Sequence, residues 1–325
     1  MVLVLSRRDV ESIITMHDCI SVVRDAFMEL TQGSAKMPQR VSISCPEGAS
    51  LYMPAYLSGS KSLACKIVSV YKNNPIRFGL PTTAGKVVLQ DPESGEVTCF
   101  MDGTYLTAMR TGAASGLATQ HLSRNDSEQS VGIFGSGIQA RTQLWALSEV
   151  RDIAKALTFD VVTSAAKTFV EDMSKRFGID VEVADSPRQV EQCDIICTAT
   201  TSTNPVLDGN RVLEGTHING IGSHTPTTRE LDTTLIKRSK LIVDSREACL
   251  TEAGDIIIPI KEGVIREGHI HATLGDIISG VKAGREKEEE VTVFKSVGLA
   301  VQDAATARLV YERAIEASIG TSVEI

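Results

Sequence analysis

Val131-Gly132-Ile133-Phe134-Gly135-Ser136-Gly137-Ile138-Gln139-Ala140 reads as a buried strand that breaks into a glycine turn and opens a helix. Asp160 stands at the end of the next apolar run, which begins at Ala156. Strand, glycine turn, helix and acid in this order make the layout of a dinucleotide-binding βαβ unit. Each small residue has a physical task. Gly135 permits the tight turn, Gly137 lets backbone N–H groups approach a pyrophosphate, and Ala140 lets the helix sit close to the strand. The helix N-terminus, where Ile138 and Gln139 stand, offers free N–H donors and partial positive charge. Asp160 is suited to accept hydrogen bonds from ribose hydroxyls. Its carboxylate repels a 2′-phosphate, and Val161 and Val162 supply no cation to hold one. NAD is therefore favoured, with NADP a possible second cofactor. The alternative for the glycines is a structural turn in another doubly wound fold.

Around this unit the 325-residue chain has room for two domains. Hydrophobic content of 42% and charged content of 23% are globular values. A formal charge of −8 gives no basic patch for nucleic acid. No apolar run is long enough for a membrane span, and Val2–Leu5 is too short for a signal peptide. Seven scattered cysteines, an odd number, point to a reducing, cytoplasmic setting. Cys193 and Cys197 read as buried thiols, and His269 and His271 as ordinary loop histidines without a third ligand; no metal site is expected.

The two halves differ in pattern. Thr15 reads as an N-cap, followed by a helical stripe of Ile20, Val23, Phe27 and Leu30 that Gly33 ends. Short β-like runs follow at Val41–Cys45, Ser50–Met53, Leu63–Val70, Gly85–Gln90 and Glu96–Met101, with a turn at Asp91-Pro92-Glu93-Ser94-Gly95. A helix of small residues is expected from Gly103 to Leu122. From Ser130 onward strands and helices alternate, as in a doubly wound parallel sheet. Leu274, Ile277, Ile278 and Val281 form a further helical stripe, and Gly298–Ser318 a last helix. The expected architecture is α/β. A Rossmann domain spans 119–298, and residues 1–118 with 299–325 form an α+β domain whose sheet is mostly antiparallel.

Four polar residues of the first half stand out: Arg40, Lys66, Thr82 and Arg110. A lysine inside Leu63-Ala64-Cys65-Lys66-Ile67-Val68 is costly to bury without compensation, although strand alternation could also turn it to solvent. An arginine in a helix of small residues suits a bidentate carboxylate clamp; an ordinary surface arginine is the bland alternative. In the second half His224 lies in a loop after an apparent strand at Thr216–Asn219. Loops of this kind meet ligands in doubly wound folds, and a histidine there is a natural acid–base candidate or a simple surface residue.

Taken together, Met37-Pro38-Gln39-Arg40, Lys66, Gly79-Leu80-Pro81-Thr82, Arg110-Thr111-Gly112-Ala113-Ala114, the glycine turn, Thr216-His217-Ile218-Asn219 and Phe294-Lys295-Ser296-Val297-Gly298-Leu299-Ala300 resemble the ornithine cyclodeaminase/mu-crystallin family. The resemblance runs nearly end to end. It implies a homodimer of two-domain subunits with the active site in the cleft between domains. It implies hydride exchange between nicotinamide and the α-carbon of an amino or imino acid. By resemblance Arg40 and Arg110 hold the substrate carboxylate, Lys66 lies beside it, and Thr82 is a further substrate contact. Thr111, Gly135, Gly137, Ile138, Gln139, Asp160, Thr198, Ile221, Lys295 and Ser296 match cofactor contacts. One departure stands out: the cyclodeaminases and the archaeal-type alanine dehydrogenase carry an aspartate where this chain has His224, and Thr228 replaces a cyclodeaminase lysine. A histidine anchors a second amine poorly but can protonate an imine. The expectation is an NAD(P)H-dependent reductase or dehydrogenase of a small α-imino acid, with Lys66 and His224 in proton transfer. Ornithine or lysine cyclodeamination, and a mu-crystallin-like binding protein with weak activity, are the alternatives.

Overall fold

The computed structural model of the chain describes residues 1–324. In chain order the first elements are β1 (Val2–Leu5), α1 (Arg7–Ile13), α2 (Met16–Thr31), β2 (Ala35–Lys36), β3 (Val41–Cys45), β4 (Gly48–Leu57), β5 (Ser62–Val70), α3 (Asn74–Phe78), β6 (Thr83–Gln90), β7 (Val97–Asp102) and α4 (Gly103–Leu122). Then come β8 (Gln129–Phe134), α5 (Ile138–Val150), β9 (Ile153–Phe159), α6 (Thr163–Phe177), β10 (Val181–Val183), α7 (Pro187–Val190), β11 (Ile195–Thr198), β12 (His217–Gly220), α8 (Thr233–Arg238) and β13 (Lys240–Val243). The last are α9 (Arg246–Glu252), α10 (Gly254–Lys261), β14 (Ile270–Thr273), α11 (Leu274–Ile278), β15 (Thr292–Lys295), α12 (Ala300–Glu316) and β16 (Thr321–Val323).

Two compact units result: Met1–Arg110 together with the segment from Leu299 onward, and Thr111–Gly298. The first boundary lies at Arg110/Thr111 and not at 118/119. It falls within the range of α4, a helix of small residues with no change of composition to mark it.

In the first unit, β16-β1-β7-β6-β5-β4-β2 form one sheet among the described residues, with β3 added on β4. All its pairs are antiparallel except β1 with β7. Val2–Leu5 is thus an inner strand, held between β7 and β16. The Thr15 side chain caps α2 by accepting from the Asp18 N–H, and the helix buries Met16, Cys19, Val23, Ala26 and Phe27. Gly33, at φ +74°, turns the chain away after it. Helix α12 packs against α2, β4 and β5, and its first eight residues, Ala300–Ala307, are all buried.

In the second unit every strand pair is parallel, in the order β10-β9-β8-β11-β12-β15-β13-β14. Strands β11, β12 and β15 are buried along their whole length, as expected where helices cover both faces of a sheet. One core gathers Phe134, Ile196, Ile218, Leu235, Leu241 and Val293; another gathers Val131, Ile133, Leu144, Phe169 and Cys197. The stripe from Leu274 is shorter than its pattern suggests: α11 stops at Ile278, and Val281 is exposed. His271 lies on strand β14 and not in a loop, while His269 ends a short 3-10 turn. Their Nε2 atoms meet the carbonyls of Ala283 and Ile236. Cys193 and Cys197 are buried. Among the described residues no helix is long and apolar enough to cross a membrane, and no group of three side chains is placed to hold a metal ion.

Candidate active site

Strand β5 is buried in alternate positions, and the inward phase is Ser62, Ala64 and Lys66. The alternation that could have turned Lys66 to solvent turns it inward: its side chain is 2% exposed. Its Nζ lies 2.7 Å from Oδ2 of Asp303 in the first turn of α12. The other carboxylate oxygen, Oδ1, accepts from Nε of Arg110 on α4 at 2.9 Å. Nη1 of Arg110 donates to Oε1 of Gln302 at 2.8 Å, and the same Oε1 accepts from the Leu299 N–H at 3.1 Å. Two donors on Oε1 fix the orientation of that amide. Its Nε2 is buried and has no hydrogen-bond partner among the described residues.

Lysine, arginine, aspartate and glutamine thus form one buried cluster within the first unit. Burial and the charge of Arg110 push the Lys66 ammonium down to about 7, against the opposing pull of Asp303; Arg40 adds a smaller push in the same direction. A lysine in this range can give up and recover a proton near neutrality. Arg40 is half-buried just before β3. Thr82 is half-buried in the turn after α3, where its carbonyl accepts from the Tyr71 N–H at 2.8 Å. Lys66 and Arg110 are therefore joined through Asp303. Arg40 acts on Lys66 through its charge, and Thr82 sits in a turn beyond the cluster's hydrogen bonds. Asp303 and Gln302 were not anticipated from the sequence. Their one signal there is an amide and an acid set among small apolar residues, Gly298 to Ala305.

The second unit carries the glycine turn at the carboxyl end of β8. Gly135 adopts φ +97°, and a Cβ there would lie 2.6 Å from the Ala199 carbonyl oxygen, so only glycine fits. Its N–H donates to the Phe159 carbonyl at 2.9 Å. Gly137 is the N-cap of α5, and no side chain caps the helix. A Cβ on Gly137 would meet open space, so this helix end is uncovered and its N–H donors point to a place where an anion fits. Ile138 is partly exposed, and Gln139 keeps a buried Oε1 that no group among the described residues satisfies. Asp160 follows β9, and its Oδ1 accepts from the Val162 N–H at 2.8 Å. Bare helix end, strained glycine, orphaned amide oxygen and strand-end carboxylate fit the pyrophosphate and ribose of a dinucleotide. Thr111 is buried on α4.

The remaining cofactor candidates turn their side chains into the protein. Thr198 donates to Oε2 of Glu230 at 2.8 Å. Lys295 is wholly buried; its Nζ lies 2.8 Å from Asp255 and donates to the Ser223 carbonyl at 2.6 Å. Burial opposes its charge, but Asp255 and Glu230 more than offset this and hold its proton more tightly than usual. Ser296 donates to Asp244 at 2.7 Å. The Lys295 and Ser296 side chains thus brace loops from beneath.

Glu230 and Asp255, also unanticipated, complete that brace. Glu230 accepts from Thr198 Oγ1, from the N–H and hydroxyl of Thr200, and from the Gly222 N–H, all at 2.7–2.8 Å. Asp255 accepts from the N–H groups of Glu230 and Leu231. Burial raises the Glu230 carboxyl, and Lys295 works against that rise. The network fixes the loop that leaves β12. Ile221 is buried at its start, while His224 is exposed with Nδ1 3.2 Å from the Gly222 carbonyl.

A doubly wound unit with this turn defines a dinucleotide-binding protein, and the other unit carries the buried lysine–arginine cluster. The chain matches the model of the ornithine cyclodeaminase/mu-crystallin family over residues 1–318, and it belongs to that family. It is similar to the Δ1-pyrroline-2-carboxylate reductase of Thermococcus litoralis, solved in complex with NADH and L-proline. Identity is 52%, the TM-score is 0.96, and the match covers 99% of this chain and 100% of that one. An archaeal alanine dehydrogenase dimer with bound NAD is 39% identical with a TM-score of 0.95, covering 100% and 99% of the two chains. The Δ1-pyrroline-2-carboxylate reductase of Bacillus cereus is 39% identical over 327 residues, 99% of each chain.

Proposed function

We propose that this protein is an NADH-dependent reductase of small α-imino acids, with a cyclic imine such as Δ1-pyrroline-2-carboxylate as its leading substrate. The observation that carries the reading is the buried Lys66–Asp303–Arg110 cluster. In it Arg110 and Lys66 share one carboxylate, and burial with the charge of Arg110 pushes the Lys66 ammonium down to about 7, which supports reading the pair as carboxylate clamp and proton donor. Its support is the 52% identity to an enzyme solved with NADH and L-proline.

In this reading Arg40 and Arg110 hold the substrate carboxylate and so orient the α-carbon. Gly135 makes the turn, Gly137, Ile138 and Gln139 hold the dinucleotide phosphates, and Asp160 takes the ribose hydroxyls; NADH is preferred to NADPH because Asp160 repels a 2′-phosphate. Bound NADH supplies the hydride. Lys66 gives its proton to the imine nitrogen: one N–H bond breaks at Nζ, one forms on the substrate, and the product is a secondary amine. The neutral lysine then recovers a proton from water. Thr82 contributes to the pocket wall, and exposed His224 is a second proton carrier.

The active form is a homodimer. Val41 and Ile43 on β3, with Ile76, Phe78 and Leu80 on and after α3, are exposed by half or more in one unit, and a second copy would cover them. The dimeric alanine dehydrogenase supports this assembly. The setting is cytoplasmic, consistent with seven free thiols.

The functional test is NADH consumption with Δ1-pyrroline-2-carboxylate, Δ1-piperideine-2-carboxylate and pyruvate plus ammonia, beside L-ornithine with NAD⁺. Reduction of a cyclic imine is expected. Ammonia release from L-ornithine without net NADH change would contradict the reading. Lys66→Ala is expected to abolish turnover while NADH binding, followed by fluorescence, is retained; retained turnover would remove Lys66 from the mechanism.

A further inference from the structure

We propose that Asp303 is the positioning residue of this site: one buried carboxylate ties the proton donor Lys66 to the carboxylate clamp Arg110 and sets how firmly Lys66 holds its proton. The inference rests on the reading of Lys66 and Arg110 as substrate-facing groups and names a third residue on which both depend.

Three observations carry it. Asp303 is 1% exposed, and its two oxygens are divided between the two cations, at 2.7 Å and 2.9 Å. A buried carboxylate shared in this way fixes both side chains at once, because losing either contact leaves a charge uncompensated. The cations come from elements far apart in sequence, β5 and α4, and α12 is the helix that holds them together. The neighbouring Gln302 takes a further Arg110 nitrogen and is itself held by the Leu299 N–H, so the first turn of α12 supplies acceptors for two nitrogens of the guanidinium.

The charge balance shows what the support is for. The charged groups that act on Lys66 are Arg110 on α4, Asp303 on α12 and Arg40 before β3. Cys19 on α2 faces the same region, through Thr306, and its thiol is pushed up to about 12 by burial, so it carries no charge. Within the buried cluster two cations face one anion. A single incoming carboxylate therefore balances the buried cluster while Lys66 is protonated, and Arg40 adds one further positive charge beside it. Once Lys66 has passed its proton to the imine nitrogen, the charge it loses reappears on the substrate nitrogen, and the total is unchanged. Without Asp303 the site would carry one more positive charge, and Lys66 would shed its proton before any substrate arrived. Asp303 thus lowers the positive charge that meets the substrate carboxylate by one and keeps the donor loaded.

The test follows the Lys66 Nζ resonance by NMR in protein labelled with ¹⁵N-lysine, assigned with Lys66→Met. It needs no substrate. In the wild type the titration midpoint is expected near 7. Asp303→Asn is expected to lower it by one pH unit or more, and Asp303→Glu to keep it close to the wild-type value. An unchanged midpoint in Asp303→Asn overturns the proposal. Should that variant not fold, the wild type decides. Its Nζ protons must be visible at pH 6, as for an ammonium held by a buried carboxylate, and fast exchange with an ordinary lysine midpoint overturns the proposal. In turnover of Δ1-pyrroline-2-carboxylate, the alkaline limb of the kcat/KM profile is expected to move to lower pH in Asp303→Asn. A merely structural role would reduce kcat at every pH and leave the limb in place. A wild type that reduces no imine sinks the functional reading, and the titration then still decides the role of Asp303.

Discussion

Lys66 could be singled out because a lysine inside an apolar strand demands compensation, and Arg110 because it interrupts a helix of small residues. Their partner could not be found the same way. An acid in the first turn of a helix is commonplace, as it complements the helix dipole, so Asp303 gave no sign that it faces two cations instead of solvent. The pairing is a tertiary fact, made by a helix whose packing site no local pattern specifies. Gln302 shows the consequence. Gln302→Leu removes the acceptor of an Arg110 nitrogen and leaves that donor buried, a loss of about 1–3 kcal/mol. KM for Δ1-pyrroline-2-carboxylate is expected to rise roughly tenfold, about 1.4 kcal/mol of binding, with a smaller change in kcat. Steady-state kinetics checks this; an unchanged KM would show that Gln302 does not orient the clamp.

Among the elements, those with a sustained period were legible: α2 from its apolar stripe and Thr15 cap, the antiparallel runs from alternation, and β8 from its unbroken apolar stretch before Gly135. Short elements were not. Strands β14 and β16 have too few residues to show a period, and α9 and α10 follow one another with only Ala253 between them. Side-chain direction at the strand ends was also hidden. In a parallel sheet covered on both faces, burial does not alternate, so nothing local told whether Thr198 or Lys295 faces a ligand or the protein. The structure turns both toward the Glu230–Asp255 brace. That brace explains Gly222: a Cβ there would lie 2.3 Å from the Thr200 carbonyl oxygen and 2.5 Å from Glu230 Oε1. Gly222→Ala is expected to break the Glu230 contacts, destabilise the protein by about 1–3 kcal/mol and weaken NADH binding. Urea unfolding and fluorescence titration measure the two effects, and a variant with wild-type values in both would show that the loop is not held from beneath.

For the whole molecule, stability is expected to fall in mild acid. His217 is wholly buried on β12, with Nδ1 2.9 Å from the Thr292 hydroxyl; burial first and the charge of Arg285 second push it down to about 3. Between the ordinary histidine value of about 6.5 and this folded value, the unfolded chain binds the extra proton and the folded chain does not. This contribution is complete above pH 6.5 and is lost as pH falls. From pH 7 to pH 5 the loss is about 2 kcal/mol from this group. Urea unfolding at the two pH values should show a shallower pH dependence in His217→Asn than in the wild type; equal slopes would contradict the assignment. Assembly is tested at the same scale. The 34.9 kDa chain is expected to elute as a dimer, and Ile43→Glu with Phe78→Glu to shift it to monomer.

The central claim is that hydride reaches the α-carbon of an imino acid while Lys66 supplies the proton. It is tested most directly by incubating the enzyme with Δ1-pyrroline-2-carboxylate and NADH deuterated at nicotinamide C4 on either face, then examining the proline by NMR. Deuterium is expected at Cα from one of the two labelled cofactors, with no product from Lys66→Ala. Proline without deuterium from either label, or no proline from the wild type, would contradict it.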